Sequence, residues 1–297
     1  MPTAVPALDR TMQILELLRN RPLDPMTLSD ISRATGIHKA TCASTLTTMA
    51  AYDMVRRDES LRYSIGSRFV GLAHAFSRQY PAFFHGREDV VRLVARTELS
   101  CAAIARDGDD LVILDMLGNA QPAHLRMRTG MRVPLVPPVG TIFKAWEPVA
   151  EQDAWIDGMI AEFGGERDEY VGAIAALRAR AFSLGGEHDF HLALDTALRQ
   201  ATRAHADDRV LEVAMIVADK IRNYSTATNG DEPINSVIGP IFDAEGRVTM
   251  TLNLFGELGS VRRRDLDSIV PSLLGTCARV TQKAGGRLPE GFGLHLL

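Results

Sequence analysis

No stretch of this sequence approaches the roughly 18 consecutive apolar residues that a membrane span requires, and Met1 to Asp9 hold neither the basic start nor the apolar block of a secretory signal. The expectation is a cytoplasmic protein with no membrane partner. Cysteine is scarce: Cys42, Cys101 and Cys277 are odd in number, scattered and without CxxC spacing, so neither a disulfide framework nor a zinc knuckle is indicated. The signatures of nucleotide binding and of nucleophilic catalysis are missing as well. No P-loop, GxGxxG or GxSxG occurs, and neither Cys101 nor Cys277 has a histidine at a suggestive spacing. One cluster invites chemistry, His188-Asp189-Phe190-His191, whose imidazoles three residues apart could share a metal on a helix. The stretch from Glu187 to Asp195 reads instead as strand and turn, with no third ligand nearby. No catalytic residue, metal or cofactor is expected.

What is present suits a folded protein with two cores: 297 residues, 46% apolar and 24% charged. The net charge of −4 is unevenly spread. Residues 1–80 hold ten Lys and Arg against seven Asp and Glu, leaving 23 against 30 for the rest, so a polyanion partner belongs at the front.

There, Asp9 can cap a helix whose stripe is Met12, Leu15 and Leu18, widened by Ile14 and Leu17, and which Pro22 and Pro25 end. Thr27-Leu28-Ser29-Asp30 has the form of a capping box for a short helix, Leu28 to Thr35. Gly36 stands where a left-handed C-cap is needed, and Ile37 can plug the corner between two steeply crossed helices. The next helix, Lys39 to Ala51, buries Cys42, Leu46 and Met49, which places Ala40, Ser44 and Thr47, flanked by Thr41 and Thr48, on the opposite side. Such short side chains either form a solvated face or let a helix enter a DNA groove closely, with hydroxyls for phosphates and base edges. His38 and Lys39 lie at the helix N-terminus, whose dipole favours a phosphate. Two short strands follow, Met54 to Arg57 and Leu61 to Ile65, around the turn Asp58-Glu59-Ser60. Arg56, Arg57 and Arg62 on this wing are placed to pair with phosphates.

These stretches, Thr27-Leu28-Ser29-Asp30-Ile31, Thr35-Gly36-Ile37-His38-Lys39-Ala40-Thr41 and Tyr63-Ser64-Ile65-Gly66, resemble the N-terminal pattern of the IclR family of transcriptional regulators. The chain departs from it at Ala43 and Ser44, where many members carry basic or bulky polar residues, so no operator sequence carries over. The resemblance implies an α+β architecture: a winged helix-turn-helix at residues 1–66, a linker helix at 67–81, ending at Pro81, and a GAF-like effector and oligomerisation domain at 82–297. In that domain, a helix from Arg87, the hairpin Ser100 to Met116, helices between Thr141 and Phe182 and around Ala204 to Tyr224, the hairpin Ile234 to Phe255 and a last helix, Arg262 to Lys283, form a sheet with helices around it.

The resemblance also nominates an effector site. Gly140 and Thr141, after Pro134-Leu135-Val136-Pro137-Pro138-Val139, match the family loop that offers backbone amides to a carboxylate. Glu187 matches an acidic position near the effector. Asn253 and Phe255 alternate onto one side of a pocket-lining strand, and Ser236 lies on its neighbour. Where relatives that bind small 2-oxo acids use hydroxyls, Phe255 puts a ring, which points either to a carboxylate effector with an apolar or aromatic part or to a filled core. The expected protein is a ligand-responsive regulator binding a pseudo-palindromic operator as a homodimer or dimer of dimers. The alternative is a sensor or scaffold whose winged helix contacts other proteins.

Overall fold

The computed structural model describes residues 5–118, 128–135, 139–185, 234, 236–256, 261 and 265–293, and in it the chain divides into two compact units, 1–79 and 80–297. Glu187, the His188–His191 cluster and the helix expected near residues 204–224 lie outside the described residues.

In the first unit, α1 spans Pro6–Arg19. It begins three residues before the Asp9 cap that the sequence suggested, because Pro6 occupies a first-turn position where its fixed φ is preorganised and its missing N–H costs nothing. Ile14, Leu15 and Leu18 are buried while Met12 is left half exposed, so the stripe is narrower than expected. β1 (Met26–Thr27) then leads into α2 (Leu28–Thr35). The Thr27 hydroxyl accepts from the Asp30 amide at 3.2 Å. The Asp30 carboxylate accepts from that same hydroxyl at 2.6 Å and also reaches back to the Thr27 backbone, as the capping box requires. Gly36 adopts φ 72°, as the corner requires, and α3 runs over Lys39–Ala51 with Cys42, Leu46 and Met49 buried.

The wing is β2 (Val55–Arg57) paired antiparallel with β3 (Arg62–Ile65). The sequence reading missed β1, which pairs with β3 through Met26↔Tyr63 and Thr27↔Arg62 to make a three-stranded sheet. Gly66 closes the wing: its amide donates to the Met54 carbonyl at 2.9 Å, and a Cβ there would collide with the Asp53 carbonyl. α4 (Arg68–Ser77) ends the unit without burying a residue.

The second unit opens with α5 (Pro81–Thr97), six residues ahead of the helix expected from Arg87. Pro81 starts this helix at its first turn, having been expected only to stop the preceding one. β4 (Ser100–Asp107), β5 (Asp110–Leu117) and β6 (Arg132–Pro134) follow, then the one-turn α6 (Thr141–Lys144), α7 (Val149–Phe163) and α8 (Arg167–Arg180). After these come β7 (Ser183–Gly185), β8 (Ser236–Phe242), β9 (Val248–Phe255) and α9 (Leu266–Lys283). The strands form one antiparallel sheet in the order β6-β5-β4-β9-β8-β7. α5 and α9 pack on one face of it. A Cβ on Gly239 of β8 would meet Cys277 Sγ of α9 at 2.7 Å, so Gly239 and its register partners Leu252 and, through β9, Ala103 point to that helical layer.

Candidate nucleic-acid interface and effector face

α3 presents an exposed surface of Ala40, Ser44, Thr47 and Thr48 with half-buried Thr41 beside it, and His38 and Lys39 are exposed at its start. The helix carries no acidic residue, so nothing on it repels phosphate. Its hydroxyls are engaged internally: Ser44 and Thr45 donate to the Thr41 carbonyl, Thr47 to Ala43 and Thr48 to Ser44, at 2.9–3.1 Å. Each hydroxyl therefore turns its lone pairs outward, a form suited to accepting from base amino groups.

The three wing arginines differ. Arg56 pairs in register with Ser64, on the face that Arg62 shares by alternation, and it makes no ion pair among the described residues. Arg57 stands on the other face, opposite Tyr63, with its guanidinium 5.7 Å from the ring centroid. Arg62 donates to the Pro25 carbonyl at 3.0 Å, which ties the wing to the segment before α2. Sequence spacing treated these arginines as equivalent; the register, together with the unforeseen β1, makes Arg56 the least encumbered.

In the second unit, the sheet face turned away from α5 and α9 carries Ser236, Asn253 and Phe255. The register sets Ser236, Phe255 and Ser100 in one cross-strand row and Ile238, Asn253 and Ala102 in the next. Both rows lack a charged side chain. Ser236 and Phe255 are buried, at 7% and 2% exposure. Among the described residues, the side-chain oxygen of Asn253 is buried without a hydrogen-bond partner, a condition that costs on the order of 1–3 kcal/mol unless something donates to it.

Gly140 (φ 87°) approaches the same face from its other end, where its added Cβ would sit 3.3 Å from Leu111, and Leu111 pairs with Arg106. Arg106 is four residues along β4 from Ala102, about 13 Å of strand. The helix that Gly140 opens then packs onto β9. Gly140 and Thr141 thus share a sheet face with Asn253 without standing beside it. α6 is a single turn, so its dipole is small.

The described residues hold no activated thiol: Cys42, Cys101 and Cys277 are buried and unpaired with one another, and burial pushes the Cys101 thiol up to about 12. A buried carboxylate braces the opposite face. Burial alone would raise the Asp89 pKa, but hydrogen bonds from Lys283 (2.6 Å), Arg92 (2.9 Å) and Arg279 (3.3 Å) prevail and hold it down to about 2.

Residues 7–59 match the family model of the IclR helix-turn-helix domain. No curated protein matches the chain. Among solved structures, IclR from Thermotoga maritima superimposes with a TM-score of 0.60 at 18% identity, covering 94% of this chain and 99% of that one. An IclR regulator from Alicyclobacillus acidocaldarius gives 0.55 at 17%, covering 95% and 100%. An IclR homologue from Microbacterium hydrocarbonoxydans complexed with 4-hydroxybenzoate gives 0.57 at 13%, covering 94% and 99%. The N-terminal unit is therefore an IclR helix-turn-helix domain, and the chain as a whole carries the fold of the IclR transcriptional regulators.

Proposed function

We propose that this protein is a ligand-responsive regulator that binds a pseudo-palindromic operator as a homo-oligomer, with α3 in the major groove and the wing on the flanking phosphates. The observation that carries the DNA contact is the acid-free, hydroxyl-lined face of α3 standing beside Arg56, Arg57 and Arg62. A second copy is supported by α4, whose Leu72 and Phe76, one turn apart on the same side of the helix, are 55% and 39% exposed. A ten-residue helix with no buried residue is marginal in water, and covering its apolar side with the same helix of another copy supplies the missing packing. Recognition helices in such a dimer would stand near one helical turn apart, about 34 Å.

The effector reading rests on Asn253. An uncharged row with one unsatisfied acceptor suits a neutral donor on an apolar or aromatic body, while a carboxylate belongs toward Gly140 and Thr141. An elongated aromatic acid such as 4-hydroxybenzoate, seen with a structural relative, has both ends. Effector binding would bias one packing of the sensor unit by about 1–3 kcal/mol and change operator affinity accordingly.

Duplex binding measured over a salt series tests the first part: affinity should fall steeply with salt as the wing arginines displace counterions. A flat profile would favour the winged helix as a protein-contact module. Melting curves with 4-hydroxybenzoate and related acids test the second part by mass action.

A further inference from the structure

Leu61 stands at the tip of the wing with φ 60° and its side chain 57% exposed. The hairpin imposes this conformation. The Leu61 amide donates to the Asp58 carbonyl at 3.0 Å and the Asp58 amide to the Arg62 carbonyl at 2.9 Å, so a tight turn is closed by one left-handed residue before β3 resumes. Glycine fills such a position without steric cost, whereas an L side chain crowds its Cβ against the following carbonyl. Leucine here is unfavourable twice, through its backbone and through an apolar side chain held in water. An outlier of this kind, kept at an exposed tip, points to a contact made elsewhere.

The surroundings indicate which contact. Arg56 and Arg62 lie on one face of the wing and Arg57 on the other; in the turn itself the Asp58 carboxylate is turned inward onto the Arg62 amide at 2.9 Å, and Glu59 is left exposed beside the tip. An apolar tip residue with three arginines on the strands behind it, against Glu59 in the turn, complements the edge of a DNA groove, where phosphates line the outside and deoxyribose carbons and base edges lie within. We propose that Leu61 is a DNA-contacting residue that packs against the sugar edges of the groove beside the one that receives α3. This rests on the DNA-binding reading above and adds to it a contact that salt does not screen.

The test uses the full chain, a fluorescein-labelled mixed-sequence duplex read by anisotropy across a potassium chloride series, and thermal melting of each variant. Leu61→Gly relieves the backbone and should melt no lower than wild type, up to about 4 °C higher. It should nevertheless bind about fivefold more weakly at every salt concentration, with an unchanged salt slope, as expected for losing roughly half a leucine's burial. Leu61→Met, which keeps the apolar bulk, should bind like wild type. If Leu61→Gly lowers the melting temperature, Leu61→Asn, which also tolerates the left-handed region, is read in the same way. A well-folded Leu61→Gly or Leu61→Asn that binds within experimental error of wild type overturns the proposal. A wild-type chain with no salt-dependent affinity overturns the DNA-binding reading itself and this contact with it, a result distinct from a normal wild type with indifferent variants.

Discussion

On α3 the hydroxyls of Ser44, Thr45, Thr47 and Thr48 already donate to carbonyls of their own helix, whereas on the face of the six-stranded sheet turned away from α5 and α9 the Asn253 oxygen has no donor among the described residues. The first surface is complete before any partner arrives and meets water without penalty. The second lacks a donor among the described residues, and a ligand that supplied one, as proposed above, would relieve a deficit already present. Polar groups at a protein surface can thus be reserve capacity, while a buried acceptor without a donor costs free energy.

This contrast can be broken most forcefully at Gly66, a tight approach in the N-terminal unit. Gly66→Ala drives a Cβ into the Asp53 carbonyl and should cost about 3 kcal/mol, dismantling the wing and abolishing duplex binding. Circular dichroism melts should show the damage in the N-terminal unit, with the sheet unit keeping its own transition. The corresponding strut of the sheet unit is Asp89. Its pKa is depressed, so the stability it contributes is fully present above about pH 4 and lost as pH falls toward about 2. With its partners roughly half exposed, that contribution is about 1–2 kcal/mol. Asp89→Asn should remove it at neutral pH and flatten the acid limb of a pH–stability curve. Asn253→Leu should do the opposite, stabilising the ligand-free protein by about 1 kcal/mol while erasing any melting shift caused by an aromatic acid. The smallest effect separates the wing arginines. Arg56→Ala should weaken binding to all duplexes a few-fold and reduce the salt slope by about 1. Arg57→Ala and Arg62→Ala should change less, because a ring and a carbonyl already hold those guanidiniums.

The helix-turn-helix was legible because its signals are local. The Thr27 cap, the left-handed Gly36 and the period of Cys42, Leu46 and Met49 each lie within a few residues of what they specify, and α2 and α3 fall where those signals place them. Pairings distant in sequence were not legible. Met26–Thr27 is too short to show alternation, and only the register with Tyr63 makes it a strand. Pro6 and Pro81 were underused for a different reason: a proline marks a helix start as readily as a stop, and composition alone does not decide between them. In the sheet unit, alternation put Asn253 and Phe255 on one face, but which face carries the helices was settled only by the approach of Gly239 to Cys277.

The two-residue strand β1 joins the wing to the helix-turn-helix in one sheet. Through it, and through the Arg62–Pro25 bond, the hairpin is laced to the residue that caps α2, so a push on the wing is felt at the helical corner instead of being absorbed by a swinging flap. If the unit binds DNA as proposed above, a surface so laced adapts poorly to a misfitting site. The bending needed for a close fit would then fall to the nucleic acid, and stretches of duplex that no side chain touches would be ranked by how readily they yield.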